Sequence, residues 1–121
     1  MLIEITKPDF VFENESGCLK QLVHDGWKQV NVITSLAGSK RGGHYHKFNK
    51  EGFYVVDGCF TLSVWKGAEK EAYEMKAGDM FVILPYVFHT FDYKEDTVLV
   101  SMYSQGVELS DTEKDIWTEG E

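Results

Sequence analysis

Short stretches of alternating apolar and polar residues run through most of the chain. The clearest is 59–65, where Phe60, Leu62 and Val64 alternate with Thr61 and Ser63. A period of two is typical of a strand with one buried face. Residues 80–84 are all apolar, which favours a strand buried on both faces. The same patterns predict further strands over 2–5, 10–12, 19–23, 28–36, 51–56, 71–75, 88–93 and 97–103.

Turn signals separate these strands about every ten residues. Asp57-Gly58 predicts a hairpin that joins 51–56 to 59–65, and residues 94–96 predict another that joins 88–93 to 97–103. The glycine-rich stretch 37–43 is predicted to be a loop. No segment has the 3.6-residue apolar period of a helix, so the pattern favours an all-β sandwich or barrel.

Length and composition suit one domain over 1–121, with its core at about 28–107. The chain has 121 residues, of which 43% are hydrophobic and 14% aromatic, enough to form a core. Residues 105–121 are rich in acidic side chains. They are predicted to form a surface tail, in which Ile116 and Trp117 are the candidates for docking.

Charge excludes some partners. A net charge of −8 argues against nucleic acid and anionic membrane surfaces. The chain has no apolar run of the roughly 20 residues that a membrane helix needs, and its start does not resemble a signal peptide. We therefore expect a cytoplasmic location. Cys18 and Cys59 are too few for a disulfide framework and are expected to be reduced.

The candidate chemistry lies between Gly38 and His89. His44 and His46 are two residues apart, so on a strand both imidazoles would point to one side. Glu51 follows at the start of the next predicted strand, and His89 follows Pro85 in a second strand-rich stretch. Imidazole and carboxylate groups that converge in this way suit a divalent metal, and Zn, Ni, Mn and Fe remain equally possible.

This spacing resembles a known family. Gly38-x5-His44-x-His46-x4-Glu51-x6-Gly58 matches the first cupin motif, and Gly78…Pro85-x3-His89 resembles the second. Val87 and Tyr93 stand near the places where the second motif usually has Gly and Asn. The resemblance implies a double-stranded β-helix barrel, with one divalent metal bound by His44, His46, Glu51 and His89.

Within the cupins, the stretch from Arg41 to His46 reads Arg-Gly-x-His-x-His. It resembles the capsule-synthesis epimerase domains and the ketoisomerases that act on nucleotide-linked 4-keto-6-deoxyhexoses. The resemblance implies an epimerase or 3,4-ketoisomerase of cell-surface polysaccharide biosynthesis. In the ketoisomerases, the paired histidines serve as acid–base groups, and such a mechanism needs no metal.

Further residues are candidates for the substrate. Arg41 is the only arginine and is suited to a phosphate, with Lys47 in the same basic cluster. Gln29 and Asn31 are candidates for sugar hydroxyls if they face the barrel interior. The candidate proton donors are Tyr45, Tyr54, Tyr93 and Tyr103. Of these, Tyr93 is grouped with His44 and His46 as a catalytic residue.

Two other classes of function remain open. One is a metal-dependent cupin oxygenase or lyase that acts on a small acid through the same four ligands. The other is a non-catalytic cupin that binds a small molecule. By analogy with cupins of this size, a homodimer is expected.

Overall fold

Eleven strands and no helix make up the protein, in a computed structural model that describes residues 1–121. The prediction of an all-β fold is confirmed. No helix in the chain is long and apolar enough to cross a membrane. The strands are β1 Ile3–Thr6, β2 Phe10–Asn14, β3 Gly17–Gln21, β4 Gln29–Ser35, β5 Lys40–His44, β6 Glu51–Asp57, β7 Cys59–Lys66, β8 Glu69–Lys76, β9 Met80–Ile83, β10 Phe88–Tyr93 and β11 Thr97–Tyr103.

Two antiparallel sheets form the body of the molecule. The five-stranded sheet has the order β1-β9-β6-β11-β4, and the four-stranded sheet has the order β5-β10-β7-β8. From β4 onward the chain changes sheet at every connection except β7 to β8, which pair with each other. This is the double-stranded β-helix that the cupin resemblance implied. β2 and β3 form a separate hairpin.

Two predicted hairpins are wrong, the one that joined 51–56 to 59–65 and the one that joined 88–93 to 97–103. β6 pairs with β9 and β11, whereas β7 pairs with β8 and β10. β10 and β11 likewise belong to different sheets. At Gly58 the chain turns with a φ of +97° and crosses to the other sheet. A Cβ there would overlap Thr97 and the carbonyl of Asp96, so this crossing needs glycine.

The core lies between the two sheets and follows the predicted alternation. Phe60, Leu62 and Val64 of β7 are at most 1% exposed, while Thr61 and Ser63 point to the other face. All four residues of β9 are buried, as their apolar run predicted. Burial of each large apolar side chain contributes about 1.5–3 kcal/mol.

The predicted loop 37–43 is shorter than expected, because β5 begins at Lys40 and pairs with β10. Gly42 has a φ of +119°, and a Cβ there would overlap the carbonyl oxygen of His89. The absence of a side chain lets the two strands approach closely. His44 and His89 therefore lie opposite each other in the sheet.

The tail 105–121 returns to the body of the molecule. The backbones of Tyr45 and Trp117 exchange two hydrogen bonds, of 2.9 and 3.0 Å. Asp115 is fully buried, whereas Ile116 is 42% exposed. Docking therefore involves Trp117, as expected, and Asp115, for which the sequence had offered no signal.

Candidate active site

Three histidines converge at one end of the barrel. His44 ends β5, His46 lies just beyond it, and His89 is on β10. The ring centroids are 5.2 Å apart for His44 and His46, 4.6 Å for His44 and His89, and 5.2 Å for His46 and His89. One ring nitrogen of each lies within 4.8 Å of those of the other two.

Glu51 adjoins this cluster as the first residue of β6. Its Oε1 lies 2.9 Å from Nε2 of His46 and 3.7 Å from Nε2 of His89. Its Oε2 accepts a 2.7 Å hydrogen bond from the Ser101 hydroxyl. The carboxylate is 4% exposed, so these groups replace water as its partners.

Backbone carbonyls orient two of the rings. Nδ1 of His46 lies 2.6 Å from the carbonyl oxygen of Asp115, and Nδ1 of His89 lies 3.2 Å from that of Val87. A carbonyl oxygen only accepts, so both rings carry a proton on Nδ1. Each Nε2 is then directed toward the centre of the cluster. Metal-binding histidines are usually held in this way.

A divalent metal fits these residues. Nε2 of His89 is buried and has no hydrogen-bond partner, although an unpaired buried polar atom is costly. Nitrogen ligands from three histidines beside a carboxylate are a donor set that first-row divalent metals accept. A cation at the centre would satisfy His89 and Glu51 together.

Burial and the neighbouring charges shift the pKa values of the three histidines in different directions. Burial, aided by His46, lowers the pKa of His44, and burial lowers the pKa of His89 to about 4. Burial would also lower the pKa of His46, but Glu51 and Asp115 outweigh it and the pKa is raised. In Glu51, burial would raise the pKa, but the hydrogen bond and charge of His46, the neighbouring His89 and the hydrogen bond from Ser101 outweigh it, and the pKa is lowered. His44 and His89 are therefore neutral, and they lie beside an ion pair formed by His46 and Glu51.

A cavity of about 110 Å³ opens beside the cluster. It brings together six of the residues singled out in the sequence, along with apolar and aromatic side chains of the lumen. His46 is not part of the wall but contacts Glu51, which is. The cavity is lined by Ile33, Arg41, Gly42, His44, Glu51, Phe53, His89, Phe91, Tyr93, Leu99 and Tyr103.

Arg41 is held at this cavity by hydrogen bonds alone. Its Nε donates to the Ser35 hydroxyl at 2.8 Å, and Nη2 donates to the carbonyl of Thr34 at 3.2 Å. The side chain is exposed and forms no ion pair with a carboxylate. Its charge is therefore free to meet an anion.

Two of the four candidate tyrosines line the cavity, and the other two do not. Tyr93 and Tyr103 line it, and burial raises the pKa of both hydroxyls. Tyr45 instead donates to the backbone carbonyl of Glu121, and Tyr54 accepts a hydrogen bond from Lys20. Only the first pair lines the cavity.

Three further candidates lie away from the cavity wall. The amine of Lys47 lies 3.8 Å from the centre of the Trp117 ring, a cation–π contact with the tail. Gln29 accepts a 2.8 Å hydrogen bond from the backbone of Val107, and its amide lies 3.4 Å from Asn31. Sequence reasoning missed Ser101 and Asp115, because neither lies in a motif.

Residues 31–103 match the profile of the Cupin domain family, which is more than half of the chain. The chain belongs to the cupin family. Of the four residues that the cupin motifs singled out, the three histidines form one cluster, and Glu51 lies beside two of them.

Several solved cupin structures share this fold. The sugar 3,4-ketoisomerase QdtA of Thermoanaerobacterium thermosaccharolyticum, in complex with TDP, superposes with a TM-score of 0.74 at 21% identity, over 91% of this chain and 83% of that one. The TDP-fucose-3,4-ketoisomerase WlaRA of Campylobacter jejuni gives 0.75 at 17%, over 96% and 88%. The dTDP-4-dehydrorhamnose 3,5-epimerase of Sulfolobus tokodaii gives 0.67 at 18%, over 85% and 75%. At these identities the likeness establishes the fold of this cupin.

A curated relative is an enzyme of another class. The 3-hydroxyanthranilate 3,4-dioxygenase of Burkholderia cenocepacia is 33% identical over 60 residues. The match takes in 49% of this cupin and 34% of the dioxygenase. The cupin thus matches about a third of the length of that enzyme.

Proposed function

We propose that this cupin is an isomerase, an epimerase or 3,4-ketoisomerase, that acts on a nucleotide-linked 4-keto-6-deoxyhexose. The observation that carries the proposal is a neutral histidine, His44, placed with Arg41 and Tyr93 on the wall of one cavity. The solved relatives described as sugar 3,4-ketoisomerases and epimerases support it at the level of the fold.

The carbonyl of a 4-keto sugar acidifies the proton on C3. His44 would remove that proton, because its lowered pKa keeps the imidazole neutral at neutral pH. The electron pair of the C–H bond forms a double bond between C3 and C4, and the π pair of the carbonyl moves to its oxygen, which gives an enediolate. Tyr93 would return a proton, since its raised pKa keeps the hydroxyl protonated. The atom and the face that receive the proton decide between an epimer and an isomer.

The size of the cavity limits which part of the substrate can enter it. About 110 Å³ is below the 300–1,000 Å³ of common ligand pockets. The keto end of the sugar would therefore enter, and the nucleotide would remain outside. Arg41 is exposed at the cavity wall without an acidic partner, where a phosphate group would pass.

Arg41→Ala should weaken binding of a nucleotide sugar by about 1.5–3 kcal/mol, because it removes a charge-assisted hydrogen bond. Isothermal titration calorimetry would measure the difference. Lys40→Ala is the matched control, since it removes a positive charge next to Arg41 from a residue that is not part of the wall. Equal affinity of Arg41→Ala and the wild type would remove Arg41 from the proposed site.

We also propose that the site holds one divalent metal, with His44, His46, His89 and Glu51 as its candidate ligands. One imidazole lone pair cannot bind the metal and take the C3 proton, so the ligands are His46, His89 and Glu51 where His44 is the base. When bound, such an ion would supply a positive charge that stabilises the developing enediolate. Elemental analysis of protein purified without a metal-affinity tag should find about one equivalent per chain. Less than about a tenth of an equivalent, even after incubation with Zn, Ni, Mn or Fe, would leave the metal-free acid–base mechanism.

A metal-dependent oxygenase or lyase that acts on a small acid is the second candidate. The small cavity favours it, because a compact acid would fill that space and place its carboxylate on Arg41. The stretch shared with the dioxygenase favours it as well. Incubation with a nucleotide-linked 4-keto-6-deoxyglucose in deuterated water separates the candidates, since only the isomerase exchanges the C3 proton for deuterium.

A further inference from the structure

The fully buried carboxylate of Asp115 belongs to the acidic tail, yet all of its hydrogen bonds go to the body of the protein or to Trp117. Oδ1 accepts from the backbone of Lys47 at 2.8 Å and from Nε1 of Trp117 at 2.8 Å. Oδ2 accepts from the backbones of Phe48 and Asn49 at 3.0 and 3.1 Å, and from Nδ2 of Asn49 at 2.8 Å. One side chain thus fixes the loop between His46 and Glu51.

The backbone of the same residue reaches His46 directly. Its carbonyl oxygen lies 2.6 Å from Nδ1 of His46, which requires the proton on that nitrogen. The opposite nitrogen, Nε2, then lies 2.9 Å from Glu51. Asp115 therefore fixes the proton on Nδ1 and the direction of the ring.

Asn49 secures the arrangement from the other side. It is 1% exposed, and its Oδ1 accepts from the backbones of Gln105 and Gly106 at 2.7 and 3.0 Å. Its Nδ2 also donates to the carbonyl of Gly106 at 2.9 Å. The loop is therefore tied at two places to the segment that follows β11.

We propose that Asp115 is a positioning residue, which holds His46 and the loop that leads to Glu51 in their working geometry. It acts through these residues and does not line the cavity. The inference rests on the proposed function only in taking His46 as a working group of the site. It adds that the C-terminal tail is part of that site.

The test compares Asp115→Asn with Asp111→Asn, which makes the same change of charge on an exposed residue of the tail. In Asp115→Asn, an NH₂ group replaces one carboxylate oxygen. It faces N–H donors, from which it cannot accept a hydrogen bond. Affinity for Co²⁺ alone should fall about tenfold to a hundredfold, as for other groups that orient metal ligands. The Asp111→Asn variant should bind Co²⁺ like the wild type.

The second readout is ¹⁵N NMR of the His46 ring, which needs neither metal nor substrate. The wild type should carry a slowly exchanging proton on Nδ1, and Asp115→Asn should lose that protection. An unprotonated Nδ1 in the wild type would overturn the proposal, even if Asp115→Asn failed to fold. Unchanged Co²⁺ affinity and an unchanged His46 signal in folded Asp115→Asn would also overturn it. Absence of sugar exchange with both effects present would reject only the proposed function.

Discussion

Changing His44 to glutamine should slow deuterium exchange at C3 of a nucleotide-linked 4-keto sugar by about 10²–10⁴-fold, the usual contribution of a general base. His44 is the only one of the three clustered histidines that is not fully buried, and it lines the cavity. Glutamine keeps a polar side chain of similar length but cannot take the proton at neutral pH. The exchange rate, followed by NMR in deuterated water, measures the effect.

His24→Gln is the matched control for this change. His24 is exposed and lies 2.6 Å from Asp9, away from the cavity, so its loss should leave exchange unchanged. Metal content of the His44→Gln protein separates the two roles proposed for His44. A base that is not a ligand leaves the metal in place, whereas a ligand loses it. Exchange within about tenfold of the wild-type rate would exclude His44 as the base, and unchanged metal content would exclude it as a ligand.

Glu51→Gln should lower the free energy of unfolding by about 3–5 kcal/mol, because it breaks a buried ion pair and leaves one charge uncompensated. Glu51 is 4% exposed, lies 2.9 Å from His46 and accepts from Ser101. Urea unfolding of chelator-treated protein would measure the loss. Glu69→Gln, on the exposed edge of β8, should change stability by less than about 0.5 kcal/mol.

The pH dependence of this loss follows from the two pKa shifts. Glu51 has a lowered pKa in the folded protein, so its stabilisation is present above the ordinary value of 4.5 and disappears as pH falls through the folded value. His46 has a raised pKa, so its stabilisation is complete below 6.5 and disappears as pH rises through the folded value. The difference between wild type and Glu51→Gln should be largest between pH 4.5 and 6.5. An equal difference at all pH values would contradict the ion pair.

Local pattern predicted the strands well, because burial of one face imposes a period of two. It failed at the connections. Asp57-Gly58 has hairpin chemistry, but whether the following strand pairs with the preceding one or crosses to the other sheet depends on packing against Thr97. The loop predicted before His44 is partly strand, because Gly42 serves a close approach to β10 rather than a turn.

Motif spacing predicted which ionisable residues would meet, because two short motifs contain them all. These residues are His44, His46, Glu51 and His89. It could not choose among the tyrosines, because only the closed barrel places Tyr93 and Tyr103 on the lumen. Asp115 was missed for a related reason. Its role depends on contacts with residues 66 to 69 positions away, and an aspartate in an acidic tail has no local signal.

The most direct measurement is mass spectrometry of a nucleotide-linked 4-keto-6-deoxyglucose after incubation with the wild-type protein in deuterated water under air. Proton removal by His44 predicts that the sugar gains deuterium, which NMR locates at C3 in recovered or epimerised 4-keto sugar and at C4 in the 3-keto isomer. A sugar recovered unlabelled, from folded protein with its metal content measured, would contradict the proposed isomerase. A small acid that gains the mass of two oxygen atoms in the same assay would assign the site to oxygenase chemistry.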